Sequence, residues 1–280
     1  MASEIRMRRA EPVPGAYVLG VTNRKGPIGR MSLERQAPMT REIIEALRDR
    51  GLRDVGLAGA SGLGTAIPVP DEYMRTRTVS SVVDVFVDGS RGLVKDCAKD
   101  MGFRRAPIED IFSVTYENGD GVKRTAPTVA GQMRFNGNPR MAGLELIVTF
   151  VPAEWVRVRQ GRHAGPTVEI WRYERVPTPG RTLLEKLIRG TSKDVADVAA
   201  AAAAADLGRI VNGDDIASFI ESVESRAGRS GWLADLIGRI EQVDRSSVWY
   251  VGEYGRAVPQ GSVDLLATLK RMAESLHRKQ

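Results

Sequence analysis

At 280 residues the chain is long enough to bury a substantial core, as one large domain or two small ones. A content of 42% hydrophobic and 27% charged residues is that of a globular protein, and no apolar run approaches the roughly 18 residues of a membrane span, so no membrane partner is expected. The net charge is +6, and the single cysteine, Cys97, rules out an internal disulfide.

One cysteine fits a reducing compartment or a virion interior, and the basic start MASEIRMRRAEPVPG lacks the apolar segment of a secretory signal. A cytoplasmic or virion location is therefore expected. Residues 181–280 hold 14 Lys and Arg against 14 Asp and Glu, whereas residues 1–180 hold 27 against 21, so the positive excess lies in the front of the chain. A basic balance favours polyanion partners. The basic residues are 33 Arg and 8 Lys. Arginine suits bidentate phosphate contacts and subunit interfaces, and it also accumulates in GC-rich genomes.

Residues 1–38 read as an N-terminal arm. Seven basic residues (Arg6, Arg8, Arg9, Arg24, Lys25, Arg30, Arg35) stand there against three acids, and AYVLGVT is a short strand candidate. Such an arm reaches onto a neighbouring subunit or into nucleic acid, or else is a partly disordered tail. MTREIIEALRDRGL predicts a helix with Thr40 as N-cap, Glu42 in the first turn, Ile43, Ile44 and Leu47 as its apolar stripe, and Gly51 as terminator. DVGLAGASGLGTAIPVP predicts a strand entering a glycine-rich loop.

Residues 79–176 are mainly strand-like. VSSVVDVFVDG is a strand ending in a glycine turn, and SRGLVKDCAKDMGF is a short helix. IFSVTYENGDGVKRTAPTVAGQMRF is a hairpin turning at NGDG, and GLELIVTFVP is a strong strand. VPTPG at 176–180 marks a boundary. Beyond it the period becomes helical. RTLLEKLIRG is one helix. SKDVADVAAAAAAADLGRIVNG is a second, with Ser192 as N-cap, Gly213 as terminator and seven consecutive alanines at 199–205. DDIASFIESVESRAG places Ile216, Phe219, Ile220 and Val223 on one face, and GWLADLIGRIEQV is a further amphipathic helix. SSVWYVGEY is a last strand candidate, and SVDLLATLKRMAESLHRKQ is a final helix capped by Ser262. No internal repeat at a fixed period is present. The expected fold is α+β. The arm spans 1–38, a mainly antiparallel α+β region with a projecting hairpin spans 39–178, and a mainly helical region spans 179–280, either separate or continuous with the preceding region.

EWVRVRQGRHAGPTVEIWRYERV, from Glu154 to Val176, reads as the projecting hairpin. Setting residue 159 opposite 167 pairs Val158 with Val168, Val156 with Ile170 and Glu154 with Arg172 on one face. The other face receives Arg157 with Glu169 and Trp155 with Trp171. The valine face should bury, leaving Trp155, Trp171 and Tyr173 with Arg157 and Glu169 as an aromatic and charged surface. Arg159 and the tip QGRHAGP, with Arg162 and His163, have no acidic partner in this register. They contact phosphates or another subunit, or form a solvated loop.

Glycines 56, 59 and 62 after a strand invite a nucleotide reading, but Pro68 and Pro70 occupy the stretch where the phosphate-binding helix would run. GASGLGT lacks the lysine of a Walker loop, so no cofactor is expected. VVDVFVDGS, a hydrophobic strand carrying Asp84 and Asp88, resembles the first strand of ribonuclease-H-like nucleases over about nine residues. That resemblance implies two-metal chemistry, with Asp88 in the place of the first metal-binding carboxylate and Asp84 on the same face. Glu109, Asp110, Glu117 and Asp120 are candidates to join them. The chain departs from that family where a short helix follows at once in place of further strands. Only two histidines exist, His163 and His277, with no nucleophile at readable spacing and no Cys/His cluster for zinc.

The expectation is a non-enzymatic structural or assembly protein acting as an oligomer, such as a viral or phage capsid or tail component near nucleic acid. Its contact residues would be Arg6, Arg8, Arg9, Arg24, Lys25, Trp155, Arg157, Arg159, Arg162, His163, Trp171 and Tyr173. The alternatives are a metal-dependent nuclease using Asp84 and Asp88, and a nucleic-acid-binding regulator.

Overall fold

Residues 4–5, 17–22, 29–106, 113–117, 123–127, 131–159, 167–189, 191–205, 207–211, 215–216 and 219 are described by a computed structural model. The elements run β1 (Glu4–Ile5), β2 (Tyr17–Thr22), β3 (Arg30–Ser32), α1 (Leu33–Asp49), β4 (Asp54–Leu57), a 3-10 turn (Gly59–Gly62), α2 (Asp71–Thr76), β5 (Thr78–Ser80), β6 (Val82–Asp88) and α3 (Arg91–Asp100). They continue with β7 (Arg104–Ala106), β8 (Ser113–Glu117), β9 (Lys123–Pro127), β10 (Gln132–Asn138), a second 3-10 turn (Pro139–Met141), β11 (Leu144–Phe150), β12 (Ala153–Arg159), β13 (Thr167–Tyr173), α4 (Pro179–Arg189), α5 (Ser192–Ala204) and α6 (Leu207–Ile210).

A five-stranded sheet in the order β4-β6-β11-β10-β7 forms the centre. The fold is α+β, as the alternation of patterns predicts, and the sheet is mixed. β6 and β11 run parallel in register Asp84↔Ile147, and every other ladder among the described strands is antiparallel. A parallel pair needs a long crossover, which here is the stretch from α3 to β10. Val83, Val85 and Val87 of β6 share one face with Leu144, Leu146 and Val148 of β11, and all six are buried. The same core takes Ile43, Ile44 and Leu47 from α1 and Val94, Cys97 and Ala98 from α3. The other face of the sheet mixes buried Val82 and Phe86 with a polar row and is described with the site below.

Two helix starts differ from the sequence reading. α1 begins at Leu33 with Ser32 as its cap, the Ser32 hydroxyl accepting from the Arg35 N–H at 3.3 Å, so the helix reaches back across residue 38 and through Pro38. Tertiary contacts override the proline. The Leu33 N–H donates to the Arg77 carbonyl at 2.8 Å, and the buried Gln36 amide donates to the carbonyls of Ser80 and Val82. Thr40, expected as the cap, is fully buried and donates to the Gln36 carbonyl at 3.0 Å. In α5 the cap is Thr191, not Ser192: its hydroxyl accepts from the Asp194 N–H and donates to the Asp194 carboxylate. That helix ends at Ala204, before the alanine run does. Its residues 195–202 are buried, whereas Ala203, Ala204 and Ala205 are not, and helix propensity alone does not carry the chain further.

The hairpin has the register the sequence predicts, residue for residue: Glu154↔Arg172, Trp155↔Trp171, Val156↔Ile170, Arg157↔Glu169, Val158↔Val168 and Arg159↔Thr167. Part of the expected arm joins it, because β1 pairs with β12 through Glu4↔Arg157 and Ile5↔Val156. β8 and β9 pair antiparallel, as expected of the strands flanking NGDG, with β2 beside β8; the expected turn at NGDG lies outside the described residues. The expected helices and strand beyond residue 219 lie outside the described residues.

Candidate functional site

Alternation along β6 sends Val82, Asp84, Phe86 and Asp88 to the face opposite the valines. Cross-strand register adds Glu145, Ile147 and Thr149 of β11 and Gln132 and Arg134 of β10 to that face. One end is closed. Phe86 stacks on Tyr173 with centroids 4.6 Å apart, and a methyl at Gly56 would collide with Val176 and Pro177. Toward β10 the face holds a polar row. Arg134 donates to Glu145 at 3.0 Å, and the Gln132 amide donates to the Thr149 hydroxyl at 2.7 Å. Asp84 and Ile147 are half-buried at its centre.

The glycine-rich turn borders Asp84. The Asp84 N–H donates to the Ser61 hydroxyl at 3.2 Å, and the Ala58 N–H donates to the Asp84 carbonyl at 3.1 Å. Gly59 sits at φ +62, a left-handed conformation that glycine adopts without penalty, and a Cβ there would lie 4.0 Å from Asp84 Oδ2. The carboxylate therefore stands over the turn. Asp84 and Glu145 are diagonal neighbours on adjacent parallel strands, one strand spacing across and two residues along, which sets their backbones roughly 8 Å apart. Two carboxylates at that spacing can share one hard cation between their oxygens. Among the described residues no group of three or more His, Cys, Asp or Glu is placed to hold a metal ion. Mg²⁺ commonly uses one or two carboxylates and completes its shell with water and substrate phosphate oxygens, which suits this pair.

Asp88 does not join them. It is exposed, four residues along the strand from Asp84, roughly 13 Å by strand rise, and it faces Asp54 of β4. Glu109, Asp110 and Asp120 lie outside the described residues, and Glu117 is described only as a backbone position opposite Tyr17 and Lys123. Arg6, Arg8, Arg9, Arg24, Lys25, Arg162 and His163 also lie outside them. Trp155, Arg157, Arg159 and Trp171 are placed by backbone register alone. Tyr173 overturns the expectation of a surface contact. It is 5% exposed, and its hydroxyl donates to Glu185 at 2.5 Å. Its partner Ala153 is also buried, so the face expected outside turns inward at this end of the hairpin, where α4 covers it.

The sequence reading missed a buried ionic cluster. Asp197 of α5 is fully buried and accepts from Lys186 Nζ at 2.6 Å, Arg77 Nε at 2.8 Å and the Tyr73 hydroxyl at 2.6 Å. Asp194 lies 3.6 Å from the same ammonium. Burial alone would raise the Asp197 pKa, but Lys186, followed by the hydrogen bond and charge of Arg77, outweighs it and holds the group at about 2. The signal was readable: Lys186 interrupts the apolar run of Leu183, Leu184 and Leu187, and the two aspartates interrupt an Ala/Val stripe. The cluster fixes α4, and one turn earlier on α4 the Thr182 hydroxyl donates to the Leu57 carbonyl at 2.9 Å while its methyl lies against Gly62. It thereby braces the turn that borders Asp84.

Glu145, Arg134 and Ser61 escaped the sequence reading because each meets its neighbour through a long-range pairing: Glu145 reaches Asp84 by the parallel β6–β11 register, Arg134 reaches Glu145 across β10–β11, and Ser61 reaches Asp84 from the turn after β4. No family model matches the chain, and no significant match emerges among curated proteins or solved structures.

Proposed function

We propose that the chain catalyses cation-assisted phosphoryl transfer on a phosphate-bearing substrate, with Asp84 and Glu145 as the residues that carry it. One observation supports this above others: the two carboxylates share the polar face of a mixed sheet, beside a glycine turn whose left-handed Gly59 leaves room against Asp84. A divalent cation bound between the carboxylates and the substrate would neutralise charge that develops on the phosphate oxygens. The chain's own residues position it. Ser61 holds the Asp84 backbone, and Arg134 orients Glu145. An attacking hydroxyl or water forms a new P–O bond in line with the one that breaks. The leaving oxygen keeps the electron pair, and the nucleophile's proton passes to a carboxylate oxygen and then to solvent. Nuclease action is one member of this class, now centred on Asp84 and Glu145 in place of Asp88.

The full chain, incubated with Mg²⁺ or Mn²⁺ and a panel of nucleoside triphosphates, RNA and DNA, should release phosphate or pyrophosphate or give a cleaved or extended product. Asp84→Asn and Glu145→Gln should each lower the rate at least 100-fold with an unchanged circular dichroism spectrum. Unchanged turnover in Asp84→Asn would refute the reading.

A second reading is a non-enzymatic subunit of an oligomeric assembly near nucleic acid, virion components included. What favours it is the addition of Glu4–Ile5 to the β12 edge, since an arm strand that pairs within one chain can pair equally with a neighbouring copy. Light scattering that finds a monomer at all concentrations would remove it.

A further inference from the structure

The register of the polar face continues outward from the carboxylates. Glu145 lies on β11 and Arg134 on β10; Arg134 and Asn136 then face Ala106 and Arg104 of the edge strand β7. Directly opposed residues project from the same face of a sheet. Arg104 therefore belongs to the face that carries Asp84, Glu145 and Arg134, while Arg105, opposite Phe135, belongs to the other. Arg104 and Asn136 are exposed, whereas the Arg134 and Glu145 side chains are 8% and 12% exposed and bound to each other. No described residue forms a hydrogen bond or ion pair with Arg104. Two strand spacings, roughly 10 Å, separate β11 from β7, and the long arginine side chain shortens the gap.

We infer that Arg104, with Asn136 beside it, binds a second phosphate of the substrate whose reacting phosphate sits at Asp84 and Glu145. This rests on the phosphoryl-transfer reading and names its substrate class, a molecule with at least two phosphates spaced to reach from β11 to β7. A nucleoside polyphosphate and a nucleic-acid strand both offer that chemistry. The guanidinium supplies charge-assisted, bidentate donors to phosphate oxygens, and the Asn136 amide supplies a neutral donor. Edge strands also carry charged residues merely to prevent edge-to-edge pairing. Arg105 provides the comparison, with the same strand and exposure but the opposite face.

The test measures binding of inorganic phosphate, ATP and a short single-stranded oligonucleotide to the full chain in Mg²⁺, by calorimetry and fluorescence anisotropy. Arg104→Ala should weaken ATP or the oligonucleotide about tenfold and leave inorganic phosphate unchanged. Loss in the ATP arm alone identifies a polyphosphate. Loss in the oligonucleotide arm, with the slope of log K against log salt reduced by about 0.7, identifies a strand. Arg104→Lys should recover part of the affinity, and Arg105→Ala should change nothing. If Arg104→Ala binds like the wild type, or if Arg105→Ala weakens binding equally, the inference falls and phosphoryl transfer stands. If the wild type binds none of the probes, both fall.

Discussion

Replacing Lys186 by methionine keeps an unbranched side chain, one atom shorter, and removes the charge that faces Asp197 at 2.6 Å and Asp194 at 3.6 Å. Both carboxylates lie in the interior, at 0% and 7% side-chain exposure, so water does not replace the lost partner. Removing one member of a buried ion pair costs about 3–5 kcal/mol. Arg77 and the Tyr73 hydroxyl still hold Asp197, which argues for the lower end, about 3 kcal/mol. For a chain of this size that corresponds to a fall in Tm of roughly 6–12 °C. A second readout follows from pH. Asp197 titrates at about 2 when folded, against 3.8 as its ordinary value, so its ionised form stabilises the fold. That contribution is complete above pH 3.8 and is lost as pH falls through about 2, and it amounts to about 2 kcal/mol. Urea titrations of wild type, Lys186→Met, Asp197→Asn and the double variant at pH 7 and at pH 2.5 would measure both. Losses at pH 7 that add independently in the double variant, or a Lys186→Met cost below about 1 kcal/mol, would refute the coupling.

Gly59→Ala forces a Cβ into a left-handed backbone at φ +62, which costs about 1 kcal/mol, and at 4.0 Å the new methyl only touches Asp84 Oδ2; the melting temperature should drop slightly. Burial raises the Cys97 pKa, so the native chain at pH 8 should resist a thiol reagent and react in denaturant; fast native labelling would contradict its placement in the core. Tyr173→Phe leaves Glu185 without its phenol donor and should cost about 1–3 kcal/mol in a urea titration.

The register of the hairpin strands was legible in sequence because every cross-strand pair makes chemical sense in a single alignment. The element types of β4, β6, α3, β11 and α4 were legible from periodicity and punctuation by Gly, Pro and Ser. The start of α1 was not, since Pro38 reads as a boundary and only contacts of Leu33 with Arg77 and of Gln36 with β5 and β6 show why the helix passes through it. Asp84 stood out as a charge on an apolar strand. Its partner did not: Glu145 lies 61 positions away and becomes a neighbour only through a parallel pairing that local pattern does not encode. Tyr173 misled for a related reason. Alternation assigns it to a face, but α4 decides that this end of the face is covered.

Under the proposed function, Asp84 and Glu145 jointly recruit a cation together with substrate phosphate. Mn²⁺ binding to the full chain, followed by electron paramagnetic resonance with and without a non-hydrolysable nucleoside triphosphate, tests it most directly. Mn²⁺ alone should be retained weakly, Mn²⁺ with the phosphate ligand strongly, and that gain should be lost in Asp84→Asn. Equal Mn²⁺ retention by wild type and Asp84→Asn in the presence of the ligand would contradict it.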